Sequence, residues 1–213
     1  MGVRQVKSSG GNVIGMFPSL KMNEQVPYES TLERDLLFFL EYDSTVMRYH
    51  AQPFAITGSS ADGTTHTYIP DFQVIRTNSK ELVECKPAAL LARLHTQQQL
   101  SLGQVWAEAN EHAFVVITDT DLRTGHRLAN LKLLWRYSRL PVSVQIIERC
   151  RAILATQPNG VLLESLTKSL SDTSSSFTLL PYVYSLLFQH ILHADLTQPL
   201  SPIALVWLPS SIR

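Results

Sequence analysis

Glu84 and Lys86 stand two apart on a predicted strand, so both side chains leave one face while Cys85 leaves the other. Asp71 lies on the preceding predicted strand, directly after Pro70, which has no amide to give to a ladder and marks a kink or an edge. A hairpin between these strands brings Asp71 beside Glu84, so two carboxylates and an ammonium converge. That set suits phosphodiester hydrolysis. Mg2+, or Mn2+ in its place, takes hard oxygen ligands, keeps several waters and needs few carboxylates besides the substrate phosphate. The ion polarises the phosphoryl oxygen and acidifies a bound water. A neighbouring lysine orients that water or stabilises the developing charge, or serves as a base if burial depresses its pKa.

Spacing alone is weak evidence. By ordinary composition, an Asp followed within about 20 residues by an acidic-x-Lys triplet occurs roughly once in a chain of this size. The context adds more, namely consecutive predicted strands, the Pro-Asp junction and an upstream helical glutamate. That glutamate, Glu33, has two readings. Ser30-Thr31-Leu32-Glu33 is a capping-box pattern. Glu33 also shares a helical face with Leu37 and Leu40, which would turn its carboxylate toward the core. Glu29 and Glu41 are expected to be solvated.

The elements that must position these groups follow from periodicity. Residues 1–27 read as a flexible arm around Ser8-Ser9-Gly10-Gly11. Leu32, Leu36, Leu37 and Leu40 predict a helix from Ser30 to about Tyr42. An extended stretch over 46–56 is broken at Pro53, and 57–64 is a turn region. Strands follow over 67–75 and 81–85, joined by Thr77-Asn78-Ser79-Lys80. A helix is expected over 88–110 and a buried strand over 114–118, with Thr118-Asp119-Thr120-Asp121 capping what comes next. This order is an α/β core with a mixed sheet flanked by helices, over residues 28–140. A boundary is expected near Pro141. Beyond it, helices over 142–155, 161–170 and 182–192 and a strand over 203–208 resemble a small winged-helix-like domain, residues 141–213.

Composition narrows the setting. The 213 residues are 45% hydrophobic and 17% charged, with nine Gly and eleven Pro, as in a globular chain with a core. No apolar stretch is long enough for a membrane span or of signal-peptide type, so a soluble, cytoplasmic protein is expected. Cys85 and Cys150, the only cysteines, make neither a disulfide framework nor a four-cysteine zinc site. Eighteen basic and eighteen acidic residues cancel, which is unusual for a protein that must hold DNA unaided. The charge is uneven, however: Arg123, Arg127, Lys132, Arg136 and Arg139 fall in a stretch, 122–147, that lacks Asp and Glu. The last three share one helical face and could follow a phosphate backbone, the alternative being a solvated face. Gln104, on the helix after the strand of Glu84 and Lys86, is a candidate supporting residue, the alternative being ordinary polar surface. His190 and His193 have metal-ligand spacing but no third partner. The Tyr182–Leu192 helix has no Lys or Arg and is apolar, which favours protein docking over DNA contact.

Residues 30–43, STLERDLLFFLEYD, resemble the opening helix of TnsA endonucleases, and so do Val46-x-x-Tyr49-x-x-Gln52-Pro53, Ile69-Pro70-Asp71-Phe72 and Val83-Glu84-Cys85-Lys86-Pro87. The resemblance runs over about residues 28–120. It implies a restriction-endonuclease-like PD-(D/E)xK fold, with Glu33, Asp71, Glu84 and Lys86 as the active site and the three carboxylates serving Mg2+. It further implies hydrolysis at the 5′ ends of a transposon in double-stranded DNA, beside a DDE transposase of TnsB type and an AAA+ ATPase of TnsC type. Such partners would supply the DNA recognition that a neutral chain lacks. The alternatives are a repair or restriction nuclease on the same fold, or an assembly factor without catalysis.

Overall fold

The computed structural model describes residues 13–59, 65–171 and 179–209. The chain divides into two compact units, residues 1–124 and 125–213.

The first unit opens with an antiparallel hairpin of β1 (Gly15–Pro18) and β2 (Gln25–Tyr28), where the sequence suggested only a loose arm; residues 1–12 of that arm lie outside the described residues. The hairpin is pinned by a charge. Glu41, near the end of helix α1 (Thr31–Tyr42), is 4% exposed rather than solvated as expected. Its Oε1 accepts from the hydroxyls of Ser19 and Tyr49, and its Oε2 from the amides of Leu20 and Lys21 at 3.1 and 3.3 Å. A buried carboxylate is tolerable only when its lone pairs are met in this way. The short strands of the hairpin carry too little periodicity for this to be read from sequence.

Next come β3 (Val46–Ala51), β4 (Ile56–Ser59), β5 (Thr65–Tyr68), β6 (Phe72–Arg76) and β7 (Lys80–Cys85). The strand expected over 67–75 is therefore two. The break falls at Ile69-Pro70-Asp71, where Pro70 has no amide for a ladder. Strand β5 pairs with β4 in a separate two-stranded sheet, while β6 joins the main one. Helix α2 (Leu94–Ala109) starts later than expected, because residues 88–90 after Pro87 form a 3-10 turn. Strand β8 (Ala113–Ile117) then runs parallel to β7. The main sheet has the order β3-β6-β7-β8, with the first two pairings antiparallel and the last parallel. A parallel pair needs a crossover, and α2 is that crossover.

Both faces of the sheet are covered. On one, Leu82 of β7 packs with Ile56, Tyr68 and Ala107 of α2. On the other, Tyr49 and Phe72 meet edge to face at 6.4 Å, and Tyr49 reaches Glu41 of α1. Helix α1 turns Leu32, Leu36, Leu37 and Leu40 inward, as their spacing predicts. Helix α3 (Asp119–Arg123) is closed by the expected cap: Thr118 Oγ1 accepts from the Asp121 amide, and Asp121 Oδ2 accepts from the Thr118 amide.

The second unit begins at Gly125, sixteen residues before the boundary expected near Pro141, and its first helix is α4 (Arg127–Trp135). It holds α5 (Val144–Ala155), β9 (Val161–Leu162), α6 (Leu163–Leu170), α7 (Leu180–Phe188), β10 (His193–Ala194) and β11 (Leu205–Trp207). The segment before Pro141 belongs here because its contacts are here. Trp135 packs against Phe188 at 5.7 Å and Tyr137 against Tyr184 at 5.5 Å, while Ser185 donates to the Leu140 carbonyl. Asn130 bonds the carbonyls of Leu196 and Gln198 and the amide of Leu200. Three short strands form an antiparallel sheet of order β10-β11-β9, where the sequence suggested a single strand. Gly160, with φ +83°, turns the chain into β9; a Cβ there would stand 2.9 Å from the Val206 carbonyl oxygen. The polar loop expected over 171–176 lies, beyond Ser171, outside the described residues. Among the described residues no helix is long and apolar enough to cross a membrane.

Glu41→Ala strands two hydroxyls and two amides, and should lower the unfolding free energy by about 2–4 kcal/mol. Chemical denaturation reads this. A change below about 0.5 kcal/mol, the scatter of ordinary surface changes, would show that the carboxylate does not secure the hairpin.

Candidate active site

Glu33, Asp71, Glu84 and Lys86 line one cleft of about 570 Å³. Each arrives by a different route. Glu33 comes from the first turn of α1, Asp71 from the break between β5 and β6, and Glu84 and Lys86 from the end of β7. A larger cavity of about 810 Å³ lies between the β4–β5 hairpin and α2, but no Asp, Glu, Lys or Arg lines it. The candidate site residues are in the smaller one.

Glu84 is the centre. It is 2% exposed, and its charge is met from three sides. Lys86 Nζ lies 2.8 Å from Oε1, the Tyr68 hydroxyl donates to Oε2 at 2.6 Å, and the Asp71 amide donates to Oε2 at 3.3 Å. Asp71 in turn accepts the Cys85 amide on Oδ2 at 2.7 Å. Glu33 does part of each of its two expected jobs. The Ser30 hydroxyl accepts from the Glu33 amide, while Glu33 Oε2 accepts from the Glu29 amide at 2.8 Å, one residue beyond the usual capping-box donor. Asp71 Oδ1 has no hydrogen bond among the described residues, while the Glu33 carboxylate takes a further hydrogen bond from the Ser30 side chain.

The electrostatics follow from this crowding. Burial, then the charges of Glu84 and Glu33, hold the Asp71 carboxyl well above the usual carboxylate range, against the pull of the Cys85 amide and Lys86. Burial is also the main force raising Glu33, opposed by the Glu29 amide and Ser30 and aided by Glu29 and Glu84. For Lys86, burial works to lower the pKa, but the charge and hydrogen bond of Glu84 and the charge of Asp71 outweigh it and raise the value. Lys86 is therefore an ammonium in this arrangement, which favours its role in charge stabilisation over that of a base.

Five carboxylates, Glu29, Glu33, Asp71, Glu84 and Asp119, line the cleft against two cations, Lys86 and Arg123. As formal charges that leaves an excess of three negatives. A phosphodiester enters such a cleft only with added cations. The donor set is hard oxygen, with one carboxylate oxygen of Asp71 to spare, the chemistry that suits an ion which keeps most of its waters. Among the described residues no group of three or more His, Cys, Asp or Glu side chains is placed to hold a metal ion by itself. His190 and His193 in the second unit stand with ring centres 6.2 Å apart.

Other sequence-based candidates land differently. Gln104 is exposed and donates to Glu108; Gln99, on the same helix, lines the cleft instead. Arg123 is in the cleft wall, whereas Arg127, Lys132, Arg136 and Arg139 are in the second unit. The last three do not share one helical face, since α4 ends at Trp135 and Arg139 lies past it with its guanidinium 5.2 Å from the Trp135 ring centre. Glu29, expected to be solvated, and Asp119, expected only in a cap, also line the cleft, as do Gln52 and Tyr68, which the sequence did not mark as site residues. Tyr68 reaches Glu84 only because the chain breaks at Pro70, and no periodicity announces that.

A mixed sheet flanked by helices, with Asp71, Glu84 and Lys86 at the ends of its central strands and Glu33 on a helix beside them, is consistent with a restriction-endonuclease-like core. Residues 43–119, about a third of the chain, match the family described as TnsA-like endonuclease N terminal. The chain thus carries a TnsA-like N-terminal domain, and a nuclease-type activity in a transposition setting is consistent with it. Asp71, Glu84 and Lys86 fall within the matched span, and Glu33 precedes it. No curated protein matches the chain.

Asp71 and Glu33 bind protons more tightly when folded than when unfolded, so protonation favours folding. Without divalent ions, stability should fall as pH rises from about 4, the ordinary carboxylate value, through the raised folded values. The penalty is fully present above them. Asp71→Asn should give a flatter pH–stability profile and a higher melting temperature at neutral pH, read by thermal denaturation. A profile as steep as that of the wild type would place the repulsion elsewhere.

Proposed function

We propose that this chain is the endonuclease subunit of a heteromeric transposase, hydrolysing the DNA strand at each 5′ end of a mobile element. The observation that carries the reading is the meeting of Glu33, Asp71, Glu84 and Lys86 in one cleft on a TnsA-like domain. A DDE transposase of TnsB type would cut and join the 3′ ends and bring the element ends, and an AAA+ ATPase of TnsC type would regulate both. The zero net charge supports this division of labour, since such a chain needs only local phosphate contacts.

Asp71, with a spare oxygen, and Glu33 would hold Mg2+ or Mn2+, with Glu84 completing the acidic set. The ion supplies Lewis acidity and an acidified water. The residues do the rest. Glu84 fixes Lys86 at 2.8 Å, and the Lys86 ammonium faces the charge that grows on the phosphoryl oxygens. Tyr68 holds the other oxygen of Glu84, so the carboxylate cannot swing away from the lysine. The Cys85 amide holds Asp71 in place.

The second unit runs helix, strand, helix, helix, strand, strand from α5 to β11, with sheet order β10-β11-β9. We read it as a winged-helix variant that docks protein rather than DNA. Helix α7, in the place of a recognition helix, has no Lys or Arg and buries Val183 to Leu187 in its own unit. Its apolar surface is thus spent internally, and docking must use other faces.

The test is an end-cleavage reaction with the matched transposase and ATPase, comparing wild type with Asp71→Ala and Lys86→Ala. Each variant should lower 5′ nicking by about 100-fold or more while 3′ joining continues. Normal nicking by both variants would refute the site. Cutting of unrelated duplex without partners would favour a restriction or repair nuclease.

A further inference from the structure

We infer that Arg123 is a phosphate-holding residue of this cleft, aimed by Asp35 and Thr31 at a DNA phosphate beside the one hydrolysed. This rests on the nuclease reading and deepens it by adding a contact to the substrate backbone. Arg123 is the last residue of α3, a helix fixed at its other end by the Thr118–Asp121 capping box. Its Nε donates to Asp35 Oδ2 at 2.8 Å and its Nη2 to Thr31 Oγ1 at 2.9 Å, both on α1. The Asp35 side chain is only 3% exposed; its Oδ1 faces Arg34 Nη2 at 3.5 Å, and its Oδ2 holds the Arg123 guanidinium at the shorter distance.

The orientation leaves the useful part of the side chain open. Arg123 is 41% exposed at its side chain, lines the cleft, and its Nη1 has no hydrogen bond among the described residues. A guanidinium carries five N–H donors in a rigid fork, and α1 takes two of them. The remainder suit two oxygens of one phosphate. Of the two cations in the cleft wall, Lys86 is drawn onto Glu84 beside the reacting centre. Arg123 is tied instead to α1, the element that also carries Glu33. A purely structural ion pair between α3 and α1 would need neither the exposure nor the place in the cleft wall.

The experiment uses the end-cleavage reaction with duplex substrates that each carry one uncharged methylphosphonate within a few nucleotides of the cut. Wild type should lose about 10-fold or more in kcat/KM at one such position, the scale of a charged hydrogen bond. Arg123→Ala should start about 10- to 100-fold lower, mainly through KM, and lose nothing further at that position while matching wild type elsewhere. Asp35→Asn should show a weaker form of the same pattern. If Arg123→Ala does not fold, Arg123→Lys, which keeps the charge beside Asp35, carries the comparison. Equal sensitivity of wild type and variant at every position, with a lowered melting temperature, would reduce Arg123 to a structural tie and overturn the inference alone, provided wild type cuts and Asp71→Ala does not. A wild type that fails to cut overturns the nuclease reading and this inference with it.

Discussion

Like charges held close in a poorly solvated place dominate this protein. Glu33, Asp71 and Glu84 are near enough to raise the proton affinity of the first two, and Glu84 is tolerated at 2% exposure because an ammonium, a phenol and an amide meet its oxygens. Removing one member of such a set changes the cost of all the others. The sheet, the break at Pro70 and the seating of α1 are best understood as the framework that holds this unfavourable cluster together, because no local stretch of chain would adopt it unaided.

Helix α1 is accordingly fastened at both ends by buried carboxylates. Near its N-terminus Asp35 binds Arg123 of α3; near its C-terminus Glu41 collects Ser19, Tyr49 and two amides of the first hairpin. The apolar stripe between them supplies most of the adhesion. The polar ties at its ends fix rotation and register, which hydrophobic contact alone leaves loose.

The parts of the sequence that were legible are those with period. The stripe of α1, the β6–β7 hairpin, the crossover helix and β8 all stand about where the pattern puts them, although β8, at the sheet edge, is only partly buried. So do Glu84 and Lys86, whose shared face follows from strand alternation. What escaped the sequence depends on contacts far apart in the chain. The burial of Glu41 needs Ser19 and Tyr49, and the approach of Tyr68 to Glu84 needs the split at Pro70. Strands of two to four residues, such as β1, β2, β9 and β10, are too short to show alternation. The unit boundary was displaced because Pro141 breaks the chain locally, while the aromatic pairs Trp135–Phe188 and Tyr137–Tyr184 decide where the segment packs.

The four residues of the cleft are unequally shared. Three travel with the sheet and lie within the matched span, and the fourth rides on a helix outside it. Geometry inside the trio is secured by strand pairing, a stiff and local constraint, whereas the distance from the trio to Glu33 depends on how a separate rod is seated. On the proposed reading, a small tilt of that rod would disarm the site while leaving the sheet intact. Catalysis would then be a finer gauge of helix seating than any bulk measure of foldedness, and whatever presses on α1 from outside would have direct leverage on the chemistry.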